Sequence, residues 1–167
     1  DTNSNWLVGR LRALAFHVKE FMTARDDVQD IAKALRRTTE DGCILIFTLG
    51  GLGPTHDDKT LRGVAEAFSL PLELNDEALK IVERQYRELF ERDVIKTSEI
   101  TDARRKRAIL PRSAKPLDNR VGSAPGVLLE IENVTVVCLP RVPTELKWIF
   151  DNEVLETLKG RVKGVLK

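Results

Sequence analysis

Two hydrophobic periods alternate along this chain, and their order predicts its layers. Asn3 to Phe16 carries Trp6, Leu7, Leu11, Leu14 and Ala15 at helical spacing. Val18 to Met22 alternates and predicts a short strand. Asp27 to Thr38 sets Val28, Ile31, Ala32 and Leu35 on one face, a helix that Asp26 or Asp27 could cap. The unbroken apolar run Cys43 to Thr48 reads as a parallel strand buried on both faces. A helix follows over Leu61 to Phe68, then a break at Leu70-Pro71-Leu72. Asn75 caps a longer helix reaching Arg92. Thr101 to Ile109 predicts a short helix that stops before Pro111. Pro116 to Asn119 reads as a turn. Gly126 to Ile131 and Val134 to Leu139 read as a hairpin around Glu132-Asn133. After Pro140 to Pro143, an amphipathic helix closes the pattern over Glu145 to Leu158. The sum is an α/β chain, a three-layer αβα sandwich with a mostly parallel sheet and a late antiparallel hairpin.

Composition narrows the function classes. The 167 residues suit one domain with a full core, taken as residues 1–167. A net charge of +1 gives no basic field for nucleic acid. No apolar run is long enough for a bilayer, and no signal peptide is visible. The chain does not begin with Met, so its numbering need not start at the translational start. Cys43 and Cys138 lie in apolar strand-like runs without metal-type spacing, which predicts buried, reduced thiols and a cytoplasmic protein. The basic run within Thr101 to Ile109 reads as a solvated helix face rather than a ligand patch.

The chemistry concentrates in Gly50 to Thr60, GGLGPTHDDKT. A glycine turn between a strand's carboxyl end and a helix's amino end is where open α/β sheets bind ligands. Gly50, Gly51 and Gly53 let backbone N–H groups approach a phosphate. Asp57 and Asp58 do not suit a bare anion site; they suit a metal ion or proton transfer beside the phosphate. Asp58 could also be a helix cap. His56 reads as an exposed loop residue, since nothing in the sequence pairs with it.

These eleven residues resemble the MoaB/Mog molybdopterin-binding domain, most closely the version at the front of CinA-type (competence/damage-inducible) proteins. Asp1-Thr2-Asn3, Arg25-Asp26-Asp27 with Ile31, Asn119-Arg-Val-Gly-Ser-Ala-Pro-Gly126 and Leu139-Pro-Arg-Val-Pro-Thr-Glu145 agree with further family segments in the same order. The resemblance covers nearly the whole chain. It implies that Gly50, Gly51, Gly53 and Thr55 cradle a phosphate, and that Asp26 and Asp58 match acidic positions used for adenylyl transfer. Both would then converge on one Mg²⁺. It also implies ligand contacts from Asn119, Gly122, Ala124, Pro125, Gly126 and Glu145, and Arg141 is a further candidate in the same turn as Glu145. The segment from Asn119 to Gly126 could instead be only a loop into the hairpin, and Glu145 could simply begin the last helix. A homo-oligomer is expected on the same ground.

Two departures accompany the resemblance. The family's LPGVP turn has glycine where this chain has Arg141, which would either block the backbone's approach to a ligand or offer it a guanidinium. The family also has a strand and a GNE-type loop before DTN, so the first strand is expected to precede Asp1. CinA-type proteins often carry a C-terminal deamidase domain; these 167 residues leave no room for one, and that activity is not expected of them. Three functions follow as expectations. One is molybdopterin binding with nucleotidyl transfer from MgATP, in molybdenum cofactor biosynthesis. Another is Mg-dependent cleavage of the pyrophosphate of ADP-ribose or a related dinucleotide. The third is a non-enzymatic ligand-binding or interaction module.

Overall fold

The fold comes from a computed structural model that describes residues 1–165. Its elements run α1 (Thr2–Ala13), α2 (Val28–Glu40), β1 (Leu45–Leu49), α3 (Thr60–Ala67), β2 (Leu72–Leu74), α4 (Asp76–Glu91), α5 (Asp102–Arg105), β3 (Ile109–Pro111), β4 (Lys115–Leu117), β5 (Gly126–Ile131), β6 (Val134–Leu139), α6 (Pro143–Ile149) and α7 (Leu155–Val165). A 3₁₀ turn, Lys106–Ala108, joins α5 to β3, and a π-helical turn, Phe150–Val154, joins α6 to α7.

The main sheet has the order β1-β6-β5-β4. β1 runs parallel to β6, with Leu45 opposite Thr135 and Leu49 opposite Leu139. β5 and β6 form the expected antiparallel hairpin, and β4 adds antiparallel to β5. The parallel character expected of the sheet is thus confined, among the described residues, to the β1–β6 seam. A second, two-stranded sheet pairs β2 with β3.

Strand alternation builds two cores. Val134, Val136 and Cys138 of β6, with Val127 and Leu129 of β5, face Leu35, Val64, Val82 and Tyr86 of α2, α3 and α4. Val137 and Leu139, with Leu128, face Leu7, Leu11, Leu146, Ile149, Phe150 and Leu158 on the other side. Because successive side chains take opposite faces, both faces must be apolar, which is why these strands read as continuous hydrophobic runs. Full burial of each Val or Leu contributes roughly 1.5–3 kcal/mol. Cys138 is buried among them and pushed up to about 11 by that burial; neither it nor Cys43 is in a disulfide.

The β2–β3 pair and the π-helical turn are not among the elements expected from the sequence, and two further segments differ from its reading. Val18 to Met22 forms no strand: it has no ladder partner, and Phe21 is 62% exposed. Val18 packs partly against the second core, while Phe21 and Met22 are exposed. Pro116 and Leu117, read as part of a turn over Pro116 to Asn119, lie instead in β4, which pairs with β5, because Pro116 needs no N–H donor at a sheet edge. No helix among the described residues is long and apolar enough to cross a membrane.

Candidate functional site

The turn after β1 is set by backbone geometry. Gly50 and Gly51 have φ of 97° and 69°, a region where glycine alone is unstrained. The Gly50 N–H donates to the Leu139 carbonyl at 2.9 Å, hanging the turn from the end of β6. The hydroxyl of Thr60, in the first turn of α3, donates to the Gly50 carbonyl at 2.8 Å. A Cβ on Gly51 would meet that hydroxyl oxygen at 2.1 Å, so the brace and the glycine require each other.

Beyond the turn, Asp58 folds back over Gly53. Its Oδ2 accepts from the Thr55 N–H at 3.0 Å and the Thr55 hydroxyl at 2.6 Å. Burial raises its pKa, but the Thr55 bonds, the Gly53 N–H and nearby Lys106 outweigh burial, and the carboxyl sits below its ordinary value. Thr55 is therefore engaged inside the loop. Asp57 does not join Asp58; it faces His56 Nε2 at 3.4 Å on the exposed rim. The Lys106 ammonium donates to the carbonyls of Thr55 and Asp58, clamping this loop from the far side.

The other motif segments meet here. Asp1 caps α1, and the buried Asn3 amide donates to the Arg141 carbonyl at 2.6 Å. This ties the first turn of the chain to the Leu139–Glu145 segment. The stem of Arg141 lies across the glycine turn: a Cβ on Gly50 would be 3.5 Å from Arg141 Cβ and 3.8 Å from its Cδ. Asn119 is completely buried. Its amide donates to the Ala124 carbonyl and to Glu145 Oε2, both at 2.8 Å, and its oxygen accepts from the Val121 N–H at 3.1 Å. Asn119 thus organises the loop, with Ala124, Pro125 and Gly126 buried behind it. Gly122 covers the Glu145 carboxyl so closely that a Cβ would lie 2.0 Å from its carboxyl carbon. Burial raises the Glu145 pKa, opposed by the Asn119 bond and by Arg107.

The acidic loop before α2 comes near the start of α3, where Lys59 is within Coulombic reach of Asp27. Asp27 is the cap, accepting from the N–H groups of Gln29 at 2.9 Å and Asp30 at 3.0 Å. Asp26 is exposed, and no hydrogen bond or ion pair among the described residues joins it to Asp58. Nor do three His, Cys, Asp or Glu side chains group there as a metal site.

Sequence reasoning missed Thr60, Lys106 and Arg107. Thr60 looks like an ordinary first-turn residue until Gly51 is seen against it. The basic run splits on folding. Arg105 is exposed, while Arg104 lies 4.2 Å from the Tyr86 ring centre. Lys106 and Arg107 turn towards a small cavity of about 190 Å³, which also has Gly51, Gly53, Asp58 and Arg62 in its wall. A groove lined by α2 and α3 shares Arg62 and Leu72 with this cavity and carries none of the motif residues.

A model of the family described as probable molybdopterin binding domain matches residues 1–160. A Pyrococcus horikoshii protein is 38% identical over 161 residues, covering 96% of this chain and 63% of its own length. An Aeropyrum pernix protein is 40% identical over 159 residues, covering 95% of this chain and 56% of its own. The chain thus spans less than two thirds of these relatives. Among solved structures, the protein CinA with unknown function from Thermoplasma acidophilum superposes with a TM-score of 0.81 at 28% identity, covering 97% of this chain and 88% of that one. The molybdopterin biosynthesis enzyme MoaB from Thermus thermophilus shares the fold, with a TM-score of 0.52 at 20% identity over 96% of this chain and 86% of that one.

Proposed function

The chain belongs to the probable molybdopterin binding domain family, and from that premise we propose that it binds a phosphate-bearing pterin or nucleotide at the Gly50–Gly53 turn. The observation that carries this reading is the pair of positive-φ glycines at the end of β1, braced by Thr60 and facing the Arg141 stem. Such a turn lets backbone N–H groups face an anion without a side chain between them.

The chemistry we propose is cleavage of a pyrophosphate bond in ADP-ribose or a related dinucleotide. Similarity to a CinA structure at a TM-score of 0.81, against 0.52 for MoaB, supports the CinA-type branch over the adenylyl-transferase one. A divalent ion is part of the proposal. Mg²⁺ usually takes one or two protein carboxylates and completes its shell with water and substrate phosphate, so a three-carboxylate cage is not required. Asp58 fits that demand: it is held ionised, and both Thr55 bonds end on one oxygen, Oδ2. The ion would supply charge neutralisation at the phosphate. The chain's own residues hold the loop, orient the carboxylate and shape the anion's seat.

A second reading is a non-enzymatic module, favoured by the Arg141 stem over Gly50. The deciding experiment is calorimetric titration with ADP-ribose, with and without Mg²⁺, followed by assay for AMP. Metal-dependent binding with AMP release supports the pyrophosphatase. Binding without turnover supports the module, and ATP-dependent adenylylation of a pterin would support the Mog-type alternative. A cytoplasmic homo-oligomer remains part of the proposal, checked by light scattering.

A further inference from the structure

We infer that Arg107 is an anion-binding residue of the cavity beside the glycine turn, reserved for a ligand phosphate. The inference rests on the phosphate-binding reading above and adds a group that the motifs do not mark.

The 3₁₀ turn Lys106–Ala108 brings Arg107 from the second, two-stranded sheet region to the wall of the cavity formed by Gly51, Gly53 and Asp58. Its Nε and Nη1 are buried and have no hydrogen-bond partner among the described residues. Buried guanidinium donors are costly when unpaired, and such a group in a folded chain calls for an explanation. Its surroundings offer only partial ones. Tyr86 presents a ring face 5.6 Å from the guanidinium carbon, but Arg104 lies nearer to that ring, at 4.2 Å. Glu145 is within Coulombic reach but forms no hydrogen bond or ion pair with Arg107; its Oε2 accepts from Asn119.

The cavity wall carries Arg62, Lys106 and Arg107 against the single carboxylate Asp58. Lys106 is occupied with the carbonyls of Thr55 and Asp58, so it holds the loop rather than a ligand. Arg62 is exposed to solvent, so Arg107 is the cation of this wall whose unpaired donors are buried. A planar guanidinium matches the oxygens of a phosphate in a way an ammonium does not. A phosphate seated on the glycine turn would meet backbone N–H groups on one side and this fork on the other.

The test titrates the wild-type chain, Arg107→Met and Arg107→Lys with inorganic pyrophosphate and, separately, with ADP-ribose. The melting temperature of each chain is measured without ligand. Methionine keeps an apolar stem against Tyr86 and removes the donors. Arg107→Met should lower pyrophosphate affinity about ten- to a hundredfold, the range for a hydrogen bond to a charged group, without lowering the melting temperature. Arg107→Lys should melt like the wild type and recover only part of the affinity.

Unchanged pyrophosphate affinity in Arg107→Met overturns the inference, as does a wild-type chain that does not bind pyrophosphate. If Arg107→Met lowers both affinity and melting, the lysine variant decides. Melting restored with affinity still reduced supports the guanidinium's role, and recovery of both overturns it. Pyrophosphate binding that depends on Arg107, in a chain that binds neither ADP-ribose nor a pterin, would sink the proposed function and leave this inference standing. Equal ADP-ribose binding by wild type and Arg107→Met would do the reverse.

Discussion

Gly51→Ala should weaken the fold through two separable effects. The first is conformational: at φ 69°, an L residue with a Cβ is strained by about 1–2 kcal/mol. The second is steric: the new methyl would sit 2.1 Å from the Thr60 hydroxyl oxygen, so Thr60 must turn away. That movement breaks its 2.8 Å bond to the Gly50 carbonyl in a buried place. An unsatisfied buried group costs about 1–3 kcal/mol. The sum is roughly 2–5 kcal/mol, or a fall in melting temperature of roughly 5–15 °C for a domain of this size. Thermal unfolding by circular dichroism, without ligand, reads the total. A double-mutant cycle with Thr60→Ala separates the parts. In the Thr60→Ala background the hydroxyl clash is gone, and Gly51→Ala should cost less: the strain of about 1–2 kcal/mol plus the close 3.1 Å approach to the residue-60 Cβ that alanine retains. An equal cost of Gly51→Ala in both backgrounds would refute the claim that Thr60 is what the glycine accommodates.

Asp58→Asn should leave melting within a few degrees, since the amide oxygen can still accept from Thr55, while abolishing metal-dependent AMP release; undiminished release would remove Asp58 from the chemistry. Arg141→Gly should change ADP-ribose affinity, because the arginine stem lies over Gly50; identical titration curves would put Arg141 outside the pocket. Glu145→Gln tests pH linkage. Burial raises the Glu145 pKa in the fold, so its contribution to stability is complete below the unfolded pKa and is lost as pH rises through the folded one. The glutamine variant should therefore gain stability relative to wild type as pH climbs from 4 to 7, ordinary carboxylate territory and just above. A constant difference in unfolding free energy across that range would contradict the assignment.

Legibility followed the number of independent signals a segment carried. The β5–β6 hairpin had two apolar runs and a two-residue turn, and it formed over Gly126–Ile131 and Val134–Leu139. The helices of Asp27 and Asn75 had a stripe and a cap, and both side chains do cap. Val18 to Met22 had alternation alone, and alternation makes a strand only where a neighbour completes the ladder. The π-helical turn at Phe150–Val154 left no local mark, because widening one turn keeps the same apolar face on the core. Within the site, the glycines were legible because a backbone requirement restricts residue type. Lys106 and Arg107 were not, because a charge run looks alike whether it faces water or a cavity. Asn119 drew attention through its motif, but its bonds to Ala124, Val121 and Glu145 became visible only once the loop had closed.

β6 is a partition. Val136 answers to the helices on one side of the sheet and Val137 to those on the other. Adjacent codons therefore belong to different packing problems, and each layer can drift in sequence without consulting the other. The Leu139 side chain takes part in one of those problems; its carbonyl takes part in neither. Because the glycine turn hangs from that carbonyl through the Gly50 N–H, its position is inherited from the main chain of the dividing strand. Side-chain turnover in either core can proceed while the glycine turn stays where it is.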